Sequence, residues 1–341
     1  MATGYILLLL AILILLLALF PDRHRIARKF KRVISFKEVT FIHEALVALE
    51  YFPTGEEIKK KIDIKSYSLK SDYTKEEMEY DVMTPIGLHH HEVKRVLILL
   101  HGLRDRKEDW RDRGKLLENY LYLIQNNQVG EMVFVAPNSG FNGESFYTNF
   151  YHLKDFRYEE YFSKEFLPML KKKYPGAKFG IVGFSMGGYG AYKLGLKNSD
   201  YFSVVGSISG AISLVRMILN RRVFRIFKYM YIPKILFNSF DQQHFMRVFG
   251  PQGAHILRED PYSILKVMER KKILKLKFYA SVGSEDKKPY LMVQQWLDIV
   301  GRMKRLELDF KAYVYRDEVH TWEYVSKDLR NFLRFFYKNT K

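Results

Sequence analysis

The sequence predicts an α/β fold: a mostly parallel sheet with helices on both faces, preceded by one N-terminal transmembrane helix. Three observations carry this. Continuous apolar runs such as Val96–Leu100 and "EMVFVAP" (Glu131–Pro137) have the length and composition of strands buried on both faces. Segments with helical spacing of apolar residues lie between such runs, and strands alternating with helices imply a parallel sheet. The chain has 341 residues, 48% of them hydrophobic, enough for a large packed core.

Taken in order, the first element is the apolar run. Ala2 to Pro21 carries no charge, and its centre reads "YILLLLAILILLLALF". Twenty helical residues rise about 30 Å, roughly one bilayer core. No Lys or Arg precedes the run, and "LALFPD" fits a cleavage site poorly, so residues 1–21 read as an uncleaved anchor in preference to a signal peptide. Arg23, Arg25, Arg28, Lys29, Lys31 and Arg32 follow at once. Basic residues beside a span mark its cytoplasmic end, which places the main domain in the cytoplasm; a secretory signal would place it outside. Residues 22–60 read as a basic juxtamembrane connector. Its stretch "FKEVTFIHEALVALEYF" (Phe36–Phe52) has helical spacing, and Pro53-Thr54-Gly55 ends it.

Residues 61–341 are expected to form the main α/β domain. "KIDIKSYSL" and "MEYDVMTP" alternate as half-buried strands do. The central strands Val96–Leu100 and Glu131–Pro137 follow, with a helix over Trp110–Gln125 between them. "EEYFSKEFLPMLKKKY" (Glu159–Tyr174) predicts a helix, and "KFGIVGF", "FSVVGSISG", "KLKFYASVG" and "LDFKAYVYRD" predict four further strands. "TWEYVSKDLRNFLRFFYK" (Thr321–Lys338) is a closing amphipathic helix. Residues 212–262 break the alternation with "LVRMILNRRVFRIFKYMYIPKILF", basic and aromatic together. An insertion between strands of an open sheet overhangs their carboxyl ends, so it reads either as a surface excursion or as a lid or membrane-facing cap.

The formal net charge of +18 implies an anionic neighbour. No zinc-finger spacing or RNA-binding signature accompanies it, so a membrane surface is the expected partner and nucleic acid is not. Cysteine is absent, which excludes disulfides, thiolate metal sites and a cysteine nucleophile. The tract His89-His90-His91 lacks a carboxylate cluster and reads as a solvated turn. No metal and no cofactor are expected.

The chemistry centres on "KFGIVGFSMGGYGAYKL" (Lys178–Leu194). Ser185 has the G-x-S-x-G spacing of a nucleophile elbow, between a buried-strand run and a helix, as in the α/β-hydrolase fold. Gly183 and Gly187 let strand and helix close around it. A serine hydroxyl needs a base, and in this strand order the acid and then the base follow later in the chain. His244, His255 and His320 follow Ser185. The first two fall in the insertion, whereas His320 follows the last strand directly and is the expected base. "SVGSEDKK" supplies Glu285 and Asp286; Asp286 is the expected acid, because the loop needs a residue or two to turn back, and Glu285 is the alternative. Asp317 and Glu318 read as ordinary solvated charge. The oxyanion hole is expected from the amides of Met186 and of Leu103 in "LLHGLRD", with His101 a structural residue of that loop.

These residues together resemble the esterase D-type branch of the α/β-hydrolases, which includes S-formylglutathione hydrolases, carbohydrate esterases and mycolyltransferases. The resemblance runs from about Ser66 to Phe336. It rests on "LLHGLRDRKEDW", "VAPNSG...SFYTNF", "EFLPMLKKKYP", "GFSMGGYGAYKLGLKNSDYFSVVGSISG", "VFG...DPYSIL", "YASVGSED" and "VHTWEYV". It implies Ser185 as nucleophile, Asp286 as acid, His320 as base, and the Leu103 and Met186 amides as oxyanion donors. Formylglutathione hydrolases usually carry a His beside the nucleophile, where this chain has Phe184, and usually lack an anchor. The expected function is therefore a membrane-anchored serine esterase that hydrolyses a carboxylic ester through a Ser-His-Asp triad and an acyl-enzyme, with a glutathione thioester a poor first choice of substrate. The alternatives are an acyltransferase of the same fold and a catalytically silent binding module at the membrane surface.

Overall fold

A computed structural model describes residues 4–6, 10, 11, 13, 23–43, 53–218, 224, 227–234 and 242–341. The expected anchor lies mostly outside these residues. Among the described residues no helix is long and apolar enough to cross a membrane.

The described strands are β1 (Val39–Ile42), β2 (Ile62–Lys70), β3 (Glu77–Pro85), β4 (Arg95–Leu100), β5 (Val133–Pro137), β6 (Lys178–Phe184), β7 (Phe202–Ile208), β8 (Lys277–Gly283) and β9 (Phe310–Tyr315). They form one sheet in the order β1-β9-β8-β7-β6-β4-β5-β3-β2. The pairs from β1 to β5 are parallel; β3 runs antiparallel to β5 and β2 to β3. The alternation read from the sequence thus gives the mixed, mostly parallel sheet expected of it.

Both faces of the sheet are covered. Along β4, Val96, Ile98 and Leu100 point into one core and Leu97 and Leu99 into the other, all fully buried. A period of two with both faces apolar is why this strand reads as an unbroken hydrophobic run. The closing helix Trp322–Lys338 lays Val325, Leu329, Phe332 and Phe336 against the second core.

The helix expected over Trp110–Gln125 is two, Asp109–Asp112 and Leu116–Gln125, separated where Lys115 takes the left-handed conformation at φ 52°. Three further elements differ from expectation. The predicted helix over Phe36–Phe52 is, in its described part, the strand β1, paired in parallel with β9 from Val39 opposite Ala312. "VTFI" is β-branched and aromatic, and the open edge of β9 offers it hydrogen bonds that outweigh the helical spacing. Residues 44–52 of that stretch lie outside the described ones. The basic connector also holds the helix Arg23–Ile34, whose Val33 is buried in the core with Ile26, Phe30 and Ile34 packed beside it. The sheet therefore begins before the boundary expected at residue 61. Third, the predicted helix Glu159–Tyr174 contains a π-helical turn at Tyr161–Phe166 before Leu167–Lys173. Pro168 supplies no amide to that turn, which favours the irregularity.

The insertion contributes Val215–Ile218, Gln242–Phe249, Gly253–Glu259 and the start of Pro261–Val267. Residues 219–223, 225, 226 and 235–241 lie outside the described ones. Leu214, Ile218, Phe224, Phe245 and Phe249 are buried in the main core. Its described apolar residues are thus divided: these pack inward, while Tyr229, Met230 and Tyr231 are 81%, 56% and 64% exposed. Glu259 binds the insertion to the helix Met186–Lys197 by pairing with the buried Lys193 at 2.6 Å and with Lys197 at 3.2 Å. Burial alone would raise the Glu259 carboxyl, but the two lysines outweigh it and hold it well below its ordinary range.

Candidate active site

Parallel strands bring their carboxyl ends to one edge. The loops after β4, β6, β8 and β9 carry Leu103, Ser185, Asp286 and His320 respectively, so residues far apart in sequence meet there. Strand β6 ends at Phe184, and the helix Met186–Lys197 starts one residue later. The turn between them puts Ser185 at φ 56°, ψ −118°, a conformation L-residues rarely adopt. A Cβ on Gly183 would stand 2.0 Å from the carbonyl carbon of Gly187, and one on Gly187 2.0 Å from the carbonyl oxygen of Leu100. Only glycine fits either place, which is the physical content of the G-x-S-x-G spacing.

The side chains form one line. His320 Nε2 lies 2.8 Å from Ser185 Oγ, and His320 Nδ1 lies 2.6 Å from Asp286 Oδ2. Asp286 is buried, and the His320 side chain is 26% exposed, so the imidazole reaches from the protein to the solvent side. Asp286 is fixed by its own turn, its amide donating to the Gly283 carbonyl and its carbonyl accepting from Val293. Glu285 points elsewhere and pairs with Lys287 at 2.9 Å. Glu318 pairs with Lys327 and Asp317 with Arg316, so neither approaches the imidazole as a partner. Of the other two histidines, His244 Nε2 sits 2.7 Å from the Glu144 carbonyl and His255 packs on Tyr151.

The loop after β4 lies against the serine. A Cβ on Gly102 would be 3.5 Å from Ser185 Cβ. Met186 is the first residue of its helix, so its amide has no acceptor a turn behind it, and the helix N-terminus faces the serine. His101 is fully buried. The Ser139 amide donates to its Nε2 at 2.9 Å, so the ring proton is on Nδ1 and is given to the Gly102 carbonyl at 2.8 Å. Burial pushes the His101 imidazole down to about 4, keeping it neutral in this structural role. His89, His90 and His91 form an exposed turn, and among the described residues no group of side chains has the makings of a metal site.

Two features escaped the sequence reading. Phe184 stacks on His320 with ring centroids 4.7 Å apart, and Trp322 packs on Phe184 at 5.0 Å. Beneath β8 and β9, the buried Asp328 accepts hydrogen bonds from Tyr279, from Ser281 at 2.5 Å and from Tyr315 at 2.6 Å. Tyr324 donates in turn to Ser281 at 2.7 Å. Burial pushes the Asp328 carboxyl up to about 6, against the pull of the three hydroxyls. The available signal was an acidic residue on the apolar face of the closing helix, one turn from Tyr324 and Phe332.

The chain has clear relatives. The "putative esterase" family profile matches residues 71–336. An acetyl esterase of Caldicellulosiruptor saccharolyticus is 27% identical over 247 residues, covering 70% of this chain and 81% of that protein. Among solved structures, a ferulic acid esterase superposes with a TM-score of 0.64 at 21% identity, covering 82% of this chain and 99% of that one. An S-formylglutathione hydrolase from Agrobacterium tumefaciens gives 0.64 at 17% identity, covering 82% and 95%. These two likenesses carry the fold, and the family match extends over most of the chain. The protein thus belongs to the "putative esterase" family of α/β-hydrolase fold and is a serine hydrolase of carboxylic esters.

Proposed function

We propose that the reaction proceeds through an acyl-enzyme on Ser185. His320 takes the hydroxyl proton as Ser185 attacks the ester carbonyl, then gives it to the departing alcohol. Asp286 holds the imidazole in the tautomer that leaves Nε2 free to accept. The Leu103 and Met186 amides receive the developing oxyanion, and water activated by the same imidazole releases the acid. The observation that supports this reading is the unbroken hydrogen-bonded line from Asp286 through His320 to Ser185.

The acetyl esterase relative makes a short acyl ester the first substrate to try. Ser185→Ala should abolish both p-nitrophenyl acetate hydrolysis and labelling by a fluorophosphonate, with the melting temperature little changed. Full residual hydrolysis in that variant would remove Ser185 from the chemistry.

We also propose that residues 1–21 hold this enzyme at a membrane, with the domain on the cytoplasmic side. The uncharged run and the basic flank support it, as do Tyr229, Met230 and Tyr231, exposed between Lys228 and Lys234.

A further inference from the structure

The residue beside the nucleophile is an aromatic ring pressed on the proposed base. Phe184 is 4% exposed, and its plane lies 29° from that of His320 at 4.7 Å, a face-to-face stack. The ring is itself immobilised. Trp322 meets Phe184 at 60° and 5.0 Å, and Trp110 meets Trp322 edge-on at 5.2 Å. The Trp322 Nε1–H donates to Asp105 Oδ2 at 3.1 Å, and Arg113 holds Asp105 Oδ1 at 2.8 Å. One face of the imidazole therefore rests on a fixed π surface.

A π face attracts a cation more than it attracts the neutral form of the same ring. When His320 takes the serine proton, the charge appears directly over Phe184. We propose that Phe184 is a positioning residue for this reaction: its ring holds the His320 imidazole in line between Asp286 and Ser185 and stabilises the imidazolium formed as Ser185 attacks. This rests on the reading of Ser185, His320 and Asp286 as the catalytic line.

The proposal has a signature that packing alone lacks. A ring face that speeds the chemical step by stabilising the imidazolium also favours the protonated over the neutral imidazole before substrate binds. Removing the ring should therefore slow turnover on the alkaline plateau and move the acidic limb of kcat/KM to lower pH. The other charges around His320 stay in place. Asp286 remains its partner, Asp105 is tied to Arg113, and Glu285, Asp317 and Glu318 are paired with Lys287, Arg316 and Lys327.

The test is Phe184→Leu, with Phe184→Met as a second ringless variant should the first fail to fold, and Phe184→Tyr as the variant that keeps the face. All are assayed on p-nitrophenyl acetate across pH. The ringless variants should lose about 3- to 30-fold in plateau kcat, with KM within about two-fold. Their acidic limb should fall by roughly 0.4–1.5 pH units, and Phe184→Tyr should restore both quantities. Plateau kcat within two-fold of the parent, or a loss of kcat with the limb unmoved or raised, would overturn the proposal. His320→Gln separates the two readings. Activity surviving in that variant sinks the catalytic line itself, whereas an inactive His320→Gln beside an unaffected Phe184→Leu sinks only the role of the ring.

Discussion

Asp328 offers a quantitative test of how the last helix is held to the sheet. It is fully buried, and its carboxyl rises from an ordinary 3.8 to about 6. In the pH window between those values the folded protein binds a proton that the unfolded chain does not. By linkage, stability must then fall as pH rises through that window, the reverse of an ion-paired carboxylate. A rise of about two units corresponds to roughly 3 kcal/mol, lost between about pH 4 and pH 6.5. Asp328→Asn cannot titrate, so it lacks this component, although it loses a constant amount from its altered hydrogen bonds to Tyr279, Ser281 and Tyr315. The quantity to follow is the difference in urea-unfolding free energy between the parent and Asp328→Asn, measured from pH 4 to pH 8. Taking the difference cancels every other titrating group. The parent's advantage should shrink, or its deficit grow, by about 3 kcal/mol on going up in pH, then level off. A difference that is flat with pH, or that moves in the parent's favour, would refute the reasoning.

Two further outcomes follow from the site and the chain's beginning. Asp286→Asn should lower kcat/KM for a small ester by about 10³- to 10⁴-fold, because the amide can hold the imidazole in the wrong tautomer, whereas Glu285→Gln, a change on the surface beside Lys287, should stay within a few-fold; steady-state kinetics on p-nitrophenyl acetate reads both, and the reverse order would move the acid role to Glu285. Deleting residues 1–21 should release the protein from the membrane fraction and leave small-ester turnover intact, since the described core elements begin with the helix Arg23–Ile34; fractionation and the same assay decide, and loss of folding on that deletion alone would make the segment part of the catalytic domain.

What was legible in the sequence divides along physical lines. The central strands could be read because burial on both faces leaves an unbroken apolar run, as in Val96–Leu100. The neighbourhood of Ser185 could be read because sterics at Gly183 and Gly187 admit no other residue. His320 and Asp286 followed from strand order, since a parallel sheet sends every loop after a strand to the same edge. Strand β1 could not be read that way. Its local spacing suits a helix, and what makes it a strand is the free edge of β9, some 270 residues later in the chain. The Asp328 cluster and the Phe184–His320 stack were hidden for the same reason: each is made by side chains from separate elements meeting across the core.

The same distant pairing alters what the basic connector does. Asp298, buried on the helix Met292–Arg305, accepts from Lys29 of the helix Arg23–Ile34, from Arg216 at 2.7 Å and from Ser213 Oγ at 3.3 Å. Lys304 of the same helix pairs with Glu38, just before β1, at 2.9 Å. One carboxylate thus joins the connector to the first turn of the insertion, and β1 joins it to the sheet. Read as charge alone, Lys29 is one more residue of a basic flank; in the fold it is a partner of a buried acid. A buried carboxylate with several donors loses more when one is removed than an exposed pair does, because the remaining charge stays desolvated. The connector is therefore fastened to the catalytic domain at three places, and the carboxyl edge that carries Ser185 keeps a fixed direction relative to the helix Arg23–Ile34. If residues 1–21 are held at a bilayer, that helix, and not a slack tether, determines how the Ser185 edge is presented to it.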